Sequence, residues 1–145
     1  MKKRIIAGVF LLSMLFISSF IMSKNQHSQI NPDREIVFGQ SGTFSGSLGL
    51  YGNIIKNAIN LYFQRINKEG GIRNKKLRLI SLHDDGKPQK AEKNIQKLRK
   101  QGISMFIGNM GTRSILKVLP LIKQQSICML FPWSGNQQLR NPNLR

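Results

Sequence analysis

With 145 residues, 40% of them apolar and 20% charged, the chain can bury a single-domain core and is no disordered polyelectrolyte. Its 23 Lys and Arg against 6 Asp and Glu give a formal charge of +17, which raises a nucleic-acid or anionic-membrane partner. The basic residues are spread from Lys24 to Arg145 without interleaved base-stacking aromatics, so they read as a solvated surface and no specific nucleic-acid partner is expected.

The chain opens Met1-Lys2-Lys3-Arg4 and then runs apolar from Ile5 to Met22. A basic start and an apolar run form the pattern of an export signal. The run reaches the lower limit for spanning a bilayer, and Ile21-Met22-Ser23 is a poor cleavage site, so residues 1–23 read as a signal peptide or an uncleaved signal anchor. Residues 24–34, "KNQHSQINPDR", are polar with a proline and read as a linker.

From residue 35 the pattern alternates. "EIVFG" (35–39) predicts a strand, followed by the glycine-rich stretch "GQSGTFSGSLGLYG" (39–52). Ile55, Ala58, Ile59, Tyr62 and Ile66 recur at helical spacing from Asn53 to Lys68, and Gly70-Gly71 ends that helix. "KLRLISLHD" (76–84) predicts a second strand with Asp84-Asp85-Gly86 as its turn. Pro88 opens a second helix that turns Ala91, Ile95 and Leu98 inward and stops at Gly102; Lys90, Lys93, Lys97, Arg99 and Lys100 form its polar face. "ISMFIG" (103–108) is a third strand. Thr112 is the expected N-cap of a third helix burying Ile115, Leu119 and Ile122, which Pro120 should kink or split. "SICMLFP" (126–132) completes the series, with Cys128, the single cysteine, read as a small buried hydrophobe. The order β-α-β-α-β-α-β predicts an α/β fold: an open parallel sheet with helices on both faces and fully buried strands.

The glycine-rich stretch fails three motif tests. It holds no G-x-G for a dinucleotide fold, no glycine-lysine pair in the frame of a phosphate loop, and no G-x-S-x-G nucleophile elbow. No histidine follows His83 to serve Ser45 as a base, and His27 and His83 stand apart from any metal-binding cluster. No enzyme activity, cofactor or metal is expected. What stands out instead is that three of the four strand ends are rich in Gly, Ser or Thr: "SGTFSGS", "GNMGTRS" and "WSGN". In open α/β sheets ligands bind beyond the carboxyl ends of the strands, and the start of the third helix offers free N–H groups suited to a carboxylate.

The succession "SGTFSGSLGLYG", "NAINLYFQRINKEGGIRNKKLRLISLHDDGKPQKA", "GISMFIGNMGTRS" and "ICMLFPWSG" resembles the amino-terminal lobe of branched-chain amino-acid (Leu/Ile/Val) binding proteins. These are type I periplasmic solute-binding components of ABC importers. The double glycine, the following strand and the acidic turn of "INKEGGIRNKKLRLISLHDD" carry the likeness furthest, and it spans Glu35 to the carboxyl terminus. The resemblance implies strand order 2-1-3-4, a crevice between strands one and three, and an amino acid or similar small carboxylate as ligand. It assigns Tyr51 to the ligand side chain, Thr112 and Ser114 to the carboxylate, and Trp133, Ser134 and Gly135 to the ammonium group. Trp133 replaces a residue that is small in relatives, which leaves branched-chain specificity open. The implied partner is a membrane permease and the implied location periplasmic or extracytoplasmic, with inner-membrane tethering if the signal stays uncleaved. A ligand-sensing receptor module of the same fold is the alternative. Relatives continue into a second lobe, so residues 35–145 read as a partial lobe, a fragment or a truncated gene product, open to association through its last strand.

Overall fold

The computed structural model describes residues 30–141. The signal segment and the linker as far as residue 29 lie outside these, as do residues 142–145. Four strands alternate with three helices: β1 (Glu35–Gly42), α1 (Gly49–Lys68), β2 (Lys76–His83), α2 (Pro88–Lys100), β3 (Met105–Ile107), α3 (Thr112–Gln124) and β4 (Cys128–Leu130), with a short 3-10 turn at Gln137–Arg140. All pairings are parallel, and the order across the sheet is β2-β1-β3-β4. The expected topology is therefore present, with the order reversing between β1 and β3.

Strand alternation sorts the side chains of β1 to two layers. Phe38 meets Phe63 of α1 with ring centroids 5.1 Å apart. Val37, on the opposite face, joins Ile95 and Leu98 of α2, Phe106 of β3 and Val118 of α3 in the main apolar cluster, with Ile103 and Ile127 at its base. Each of these side chains contributes about 1.5–3 kcal/mol by leaving water. On this face α2 and α3 also pack on one another, so helices cover both faces of the sheet.

Several details depart from the expected pattern. Only β1 is well buried along its length; β3 buries Phe106 alone, β2 and β4 are edges, and β2 is half-buried from Arg78 onward. Cys128 is exposed because it opens the edge strand β4, which is paired with β3 on one side and, among the described residues, has no strand on the other. On α1 the packed line is Gly52, Ile55, Ile59, Phe63 and Ile66, one residue round from the expected Tyr62, which is 63% exposed; Ala58 is exposed as well. Pro120 does not split α3, which runs unbroken to Gln124. The proline lies on the exposed side, so its ring leaves the packed positions Ile115 and Val118 undisturbed. Arg99 is not simply solvated, since its guanidinium donates to the carbonyls of Ile103 and Gln125 at 3.3 and 3.2 Å.

Candidate functional site

The carboxyl ends of all four strands meet at one edge of the sheet, and two buried polar side chains fix the geometry there. Gln40 of β1 donates from Nε2 to the Gly108 carbonyl at 3.0 Å and accepts from Ser81 of β2 at 2.8 Å. Asp84, fully buried, accepts from Ser41 Oγ at 3.1 Å, Thr43 Oγ1 at 2.9 Å and the Gly86 N–H at 2.9 Å. Asn94 of α2 adds a bond to Ser41 Oγ at 3.1 Å. A buried carboxylate is tolerable only when its oxygens are filled in this way. The network binds the β1 loop, the β2 turn and α2 into one unit.

From that base the β1 loop climbs to α1. Gly52 lets the helix approach this loop: a Cβ there would lie 1.9 Å from the Thr43 carbonyl oxygen. Asn53 Nδ2 donates to the carbonyls of both Phe44 and Gly49 at 2.9 Å, closing the turn from inside. The N–H of Phe44 is held by His83 Nδ1 at 2.9 Å.

Beyond β3, Gly111 caps α3 with φ of 96°, a left-handed backbone that suits glycine. Thr112 is thus the first helical residue and not the N-cap, because the turn out of β3 uses the one residue without a Cβ. Its hydroxyl is left free to meet Ser134 Oγ at 2.9 Å, joining the third and fourth strand loops. No side chain caps α3, and the first N–H groups of a helix have no carbonyl partner within it. The β4 loop is held against β3 by the Trp133 N–H, which donates to the Asn109 carbonyl at 2.8 Å.

A cavity of about 190 Å³ opens between these loops, lined by Thr43, Leu48, Gly86 and the stretch Met110–Ser114. Thr112 and Ser114 therefore share one concavity at the start of α3, with Ser114 buried and Thr112 exposed. Tyr51 and Trp133 do not line it. They stack on one another instead, ring centroids 5.5 Å apart at 29°, each 49% exposed. This pair bridges from α1 to the β4 loop, and the Thr112–Ser134 bond connects it to the cavity side. Gly135 is exposed, with open space around its α-carbon. The sequence reading passed over Thr43 and Arg113, both cavity residues. Arg113, beside Thr112 in "GTRS", was legible as a cation at a helix start; Thr43 was hidden because its hydroxyl answers to Asp84, distant in sequence.

The same geometry bears on Ser45, whose hydroxyl lies 3.1 Å from His83 Nε2. Asp85 Oδ1 contacts that same nitrogen at 2.5 Å, while Nδ1 is occupied by the Phe44 N–H. A Ser-His-acid relay needs the serine and the acid on opposite ring nitrogens, and here both compete for one. The Lys90 ammonium, 2.7 Å from Asp85 Oδ2, and the nearby imidazole hold the Asp85 carboxyl below its usual range, so it stays an acceptor.

Comparison with known proteins matches this architecture. The chain is 26% identical over 98 residues to a curated Leu/Ile/Val-binding protein of Rhizobium johnstonii, covering 68% of this chain and 27% of that protein. A possible leucine/isoleucine/valine-binding protein from Rhodopirellula baltica superposes with a TM-score of 0.73 at 22% identity, covering 81% of this chain and 32% of its own. An extracellular ligand-binding receptor from Verminephrobacter eiseniae superposes with a TM-score of 0.68 at 27% identity, covering 74% and 31%. The chain thus spans about a third or less of the length of these relatives. The family model described as "Periplasmic binding protein" matches residues 35–144. With the sheet order, the switch point and the loop constellation above, the match makes this chain a member of the periplasmic binding protein family, carrying part of its type I fold.

Proposed function

We propose that this chain supplies one lobe of an extracytoplasmic solute-binding component of an ABC importer, and that its ligand is an amino acid or similar small carboxylate. The observation that carries the reading is the cavity at the start of α3, where Thr112, Ser114 and uncapped helical N–H groups converge beside Arg113. An anion there meets hydrogen-bond donors, the positive end of a helix and a cation together. The Rhizobium and Rhodopirellula relatives are named for leucine, isoleucine and valine, which fits a zwitterionic ligand with an apolar side chain.

Within this reading the Thr112 hydroxyl and the α3 N-terminus take the carboxylate. Ser134 and the β4 loop take the ammonium group, and the Tyr51–Trp133 pair forms the wall against the side chain. Because the two rings already stack, the ligand side chain packs on the edge of the pair or separates the rings, and a bulkier side chain gains the larger apolar contact. Family membership supports a periplasmic location and a membrane permease as partner.

A thermal-shift screen of amino acids, sugars and nucleotides tests the reading. Stabilisation by amino acids is expected, and stabilisation by sugars alone overturns it. Thr112→Val should weaken amino-acid binding by about 1–3 kcal/mol, since it leaves a charged ligand oxygen short of one donor.

A further inference from the structure

The β1 loop is fastened at a single residue from both sides. The Phe44 carbonyl is tied to α1 through Asn53, and the Phe44 N–H is tied to β2 through His83 Nδ1. Phe44 stands between Thr43 and Leu48, both of which line the cavity, so the placement of this one residue sets the near wall of the site. Asn53 belongs to α1 and moves with it. His83, at the last position of β2, is the attachment to the sheet.

An imidazole nitrogen accepts a hydrogen bond only when it carries no proton. With Nδ1 accepting from Phe44, the ring proton of neutral His83 sits on Nε2, where Asp85 Oδ1 receives it. A second proton has one place to go, namely Nδ1, and there it would face the Phe44 N–H donor to donor. We propose that His83 is a positioning residue for the first ligand loop, that it holds the loop only as the neutral imidazole, and that ligand affinity is therefore coupled to its protonation. The coupling to affinity rests on the solute-binding reading above, whereas the loop attachment does not.

The charged groups around the ring come from three elements. Asp85, in the turn after β2, contacts Nε2 and is itself paired with Lys90 of α2. Lys56 of α1 lies over the Phe44 ring, 4.9 Å from its centroid. The neighbouring Asp84 is spent on Ser41, Thr43 and Gly86. Asp85 accepts from Nε2 in both ring states, so protonation keeps the His83–Asp85 contact and loses the His83–Phe44 one. The loop, not the turn, is what responds.

The test uses the full chain without ligand and follows the Phe44 amide by hydrogen exchange while ring nitrogen shifts report the His83 tautomer. Across the pH range in which the ring nitrogen shifts show His83 to take up its second proton, Phe44 protection, corrected for intrinsic exchange, should fall roughly tenfold, the effect of losing one hydrogen bond. His83→Asn places an amide oxygen near the Nδ1 position without a titrating group. It should keep Phe44 protected and remove the pH dependence, whereas His83→Leu should lose protection at every pH. Isoleucine, used as the probe, should bind more weakly at the lower end of that range to the parent chain and equally at both ends to His83→Asn. Phe44 protection that ignores ring protonation, or an Nδ1-protonated neutral ring, overturns the attachment. Isoleucine affinity that stays constant while Phe44 responds overturns the coupling. Absence of isoleucine binding at any pH counts against isoleucine as ligand, while the amide measurement still decides the role of His83.

Discussion

The two halves of this sheet are built by different means. The β1–β2 half pairs over eight residues, from Glu35 with Lys76 to Gly42 with His83, and its upper end is closed by Gln40, Ser41, Thr43, Asp84 and Asn94. The β3–β4 half pairs over three residues, and next to it lie Phe131, 80% exposed, and an apolar depression of about 470 Å³ lined by Leu119, Ile122, Ile127, Met129 and Leu139 among others. One half is held by long-range polar bonds between side chains distant in sequence. The other offers apolar surface beside an edge strand of three residues that, among the described residues, pairs on one side only. The candidate ligand cavity lies between them, with its rigid wall on the first half and the α3 N-terminus on the second. A binding site gains from such a division, because one wall keeps its geometry while the other adjusts to what arrives.

The most direct way to break the contrast is to remove its anchor. Asp84→Ala leaves the buried Ser41 and Thr43 hydroxyls and the Gly86 N–H without their acceptor, and should cost about 3 kcal/mol or more. Asp84→Asn keeps one acceptor oxygen and should lose roughly half as much. Denaturant titration of both variants checks the difference; equal, small losses would show that the network is not what stiffens this half.

Next in size is Gly52→Ala. Its added methyl would collide with the Thr43 carbonyl and push α1 away from the loop, at a cost of about 1–3 kcal/mol. The same change at the exposed Gly135, which meets no neighbour, should cost only a few tenths of a kcal/mol. Thermal melts of the two variants side by side measure how unequal the halves are.

The open half is tested by association. Phe131→Lys should leave stability within about 0.5 kcal/mol of the parent, yet reduce self-association, because a charge beside an edge strand opposes strand addition. Light scattering over a concentration series reads this, and unchanged association would place the contact elsewhere than β4.

The smallest effect expected concerns acid. Asp85 has its carboxyl held below the ordinary value of 3.8, chiefly by its hydrogen bond to Lys90. A group whose folded pKa is depressed contributes stability that is complete above the unfolded value and is lost as pH falls through the folded one. Lys90→Met should therefore melt slightly below the parent at neutral pH, and the gap should close in acid below the usual carboxylate range. Since Asp85 is exposed, the gap should also shrink with added salt.

Local patterns carried a large part of this molecule. The alternation of apolar runs with helical spacing, punctuated by Gly70-Gly71, Pro88 and Gly102, determined the element order, because periodicity and backbone restriction act over a few residues wherever the chain goes. The glycine-, serine- and threonine-rich strand ends pointed to the edge where the cavity lies. Tertiary structure decided what depends on partners distant in sequence. Thr43 looked like a loop hydroxyl until Asp84, 41 residues away, claimed it, and His83 looked like an isolated titratable group until the Phe44 amide came to its Nδ1. Tyr51 and Trp133 were separate aromatics until the β4 loop brought them face to face. Cys128 read as buried from its apolar neighbours, yet a strand at the sheet edge has a side that its own sequence does not describe. Burial and hydrogen-bond pairing are properties of what packs alongside, which is why composition and spacing reached the fold and stopped short of the wiring of its site.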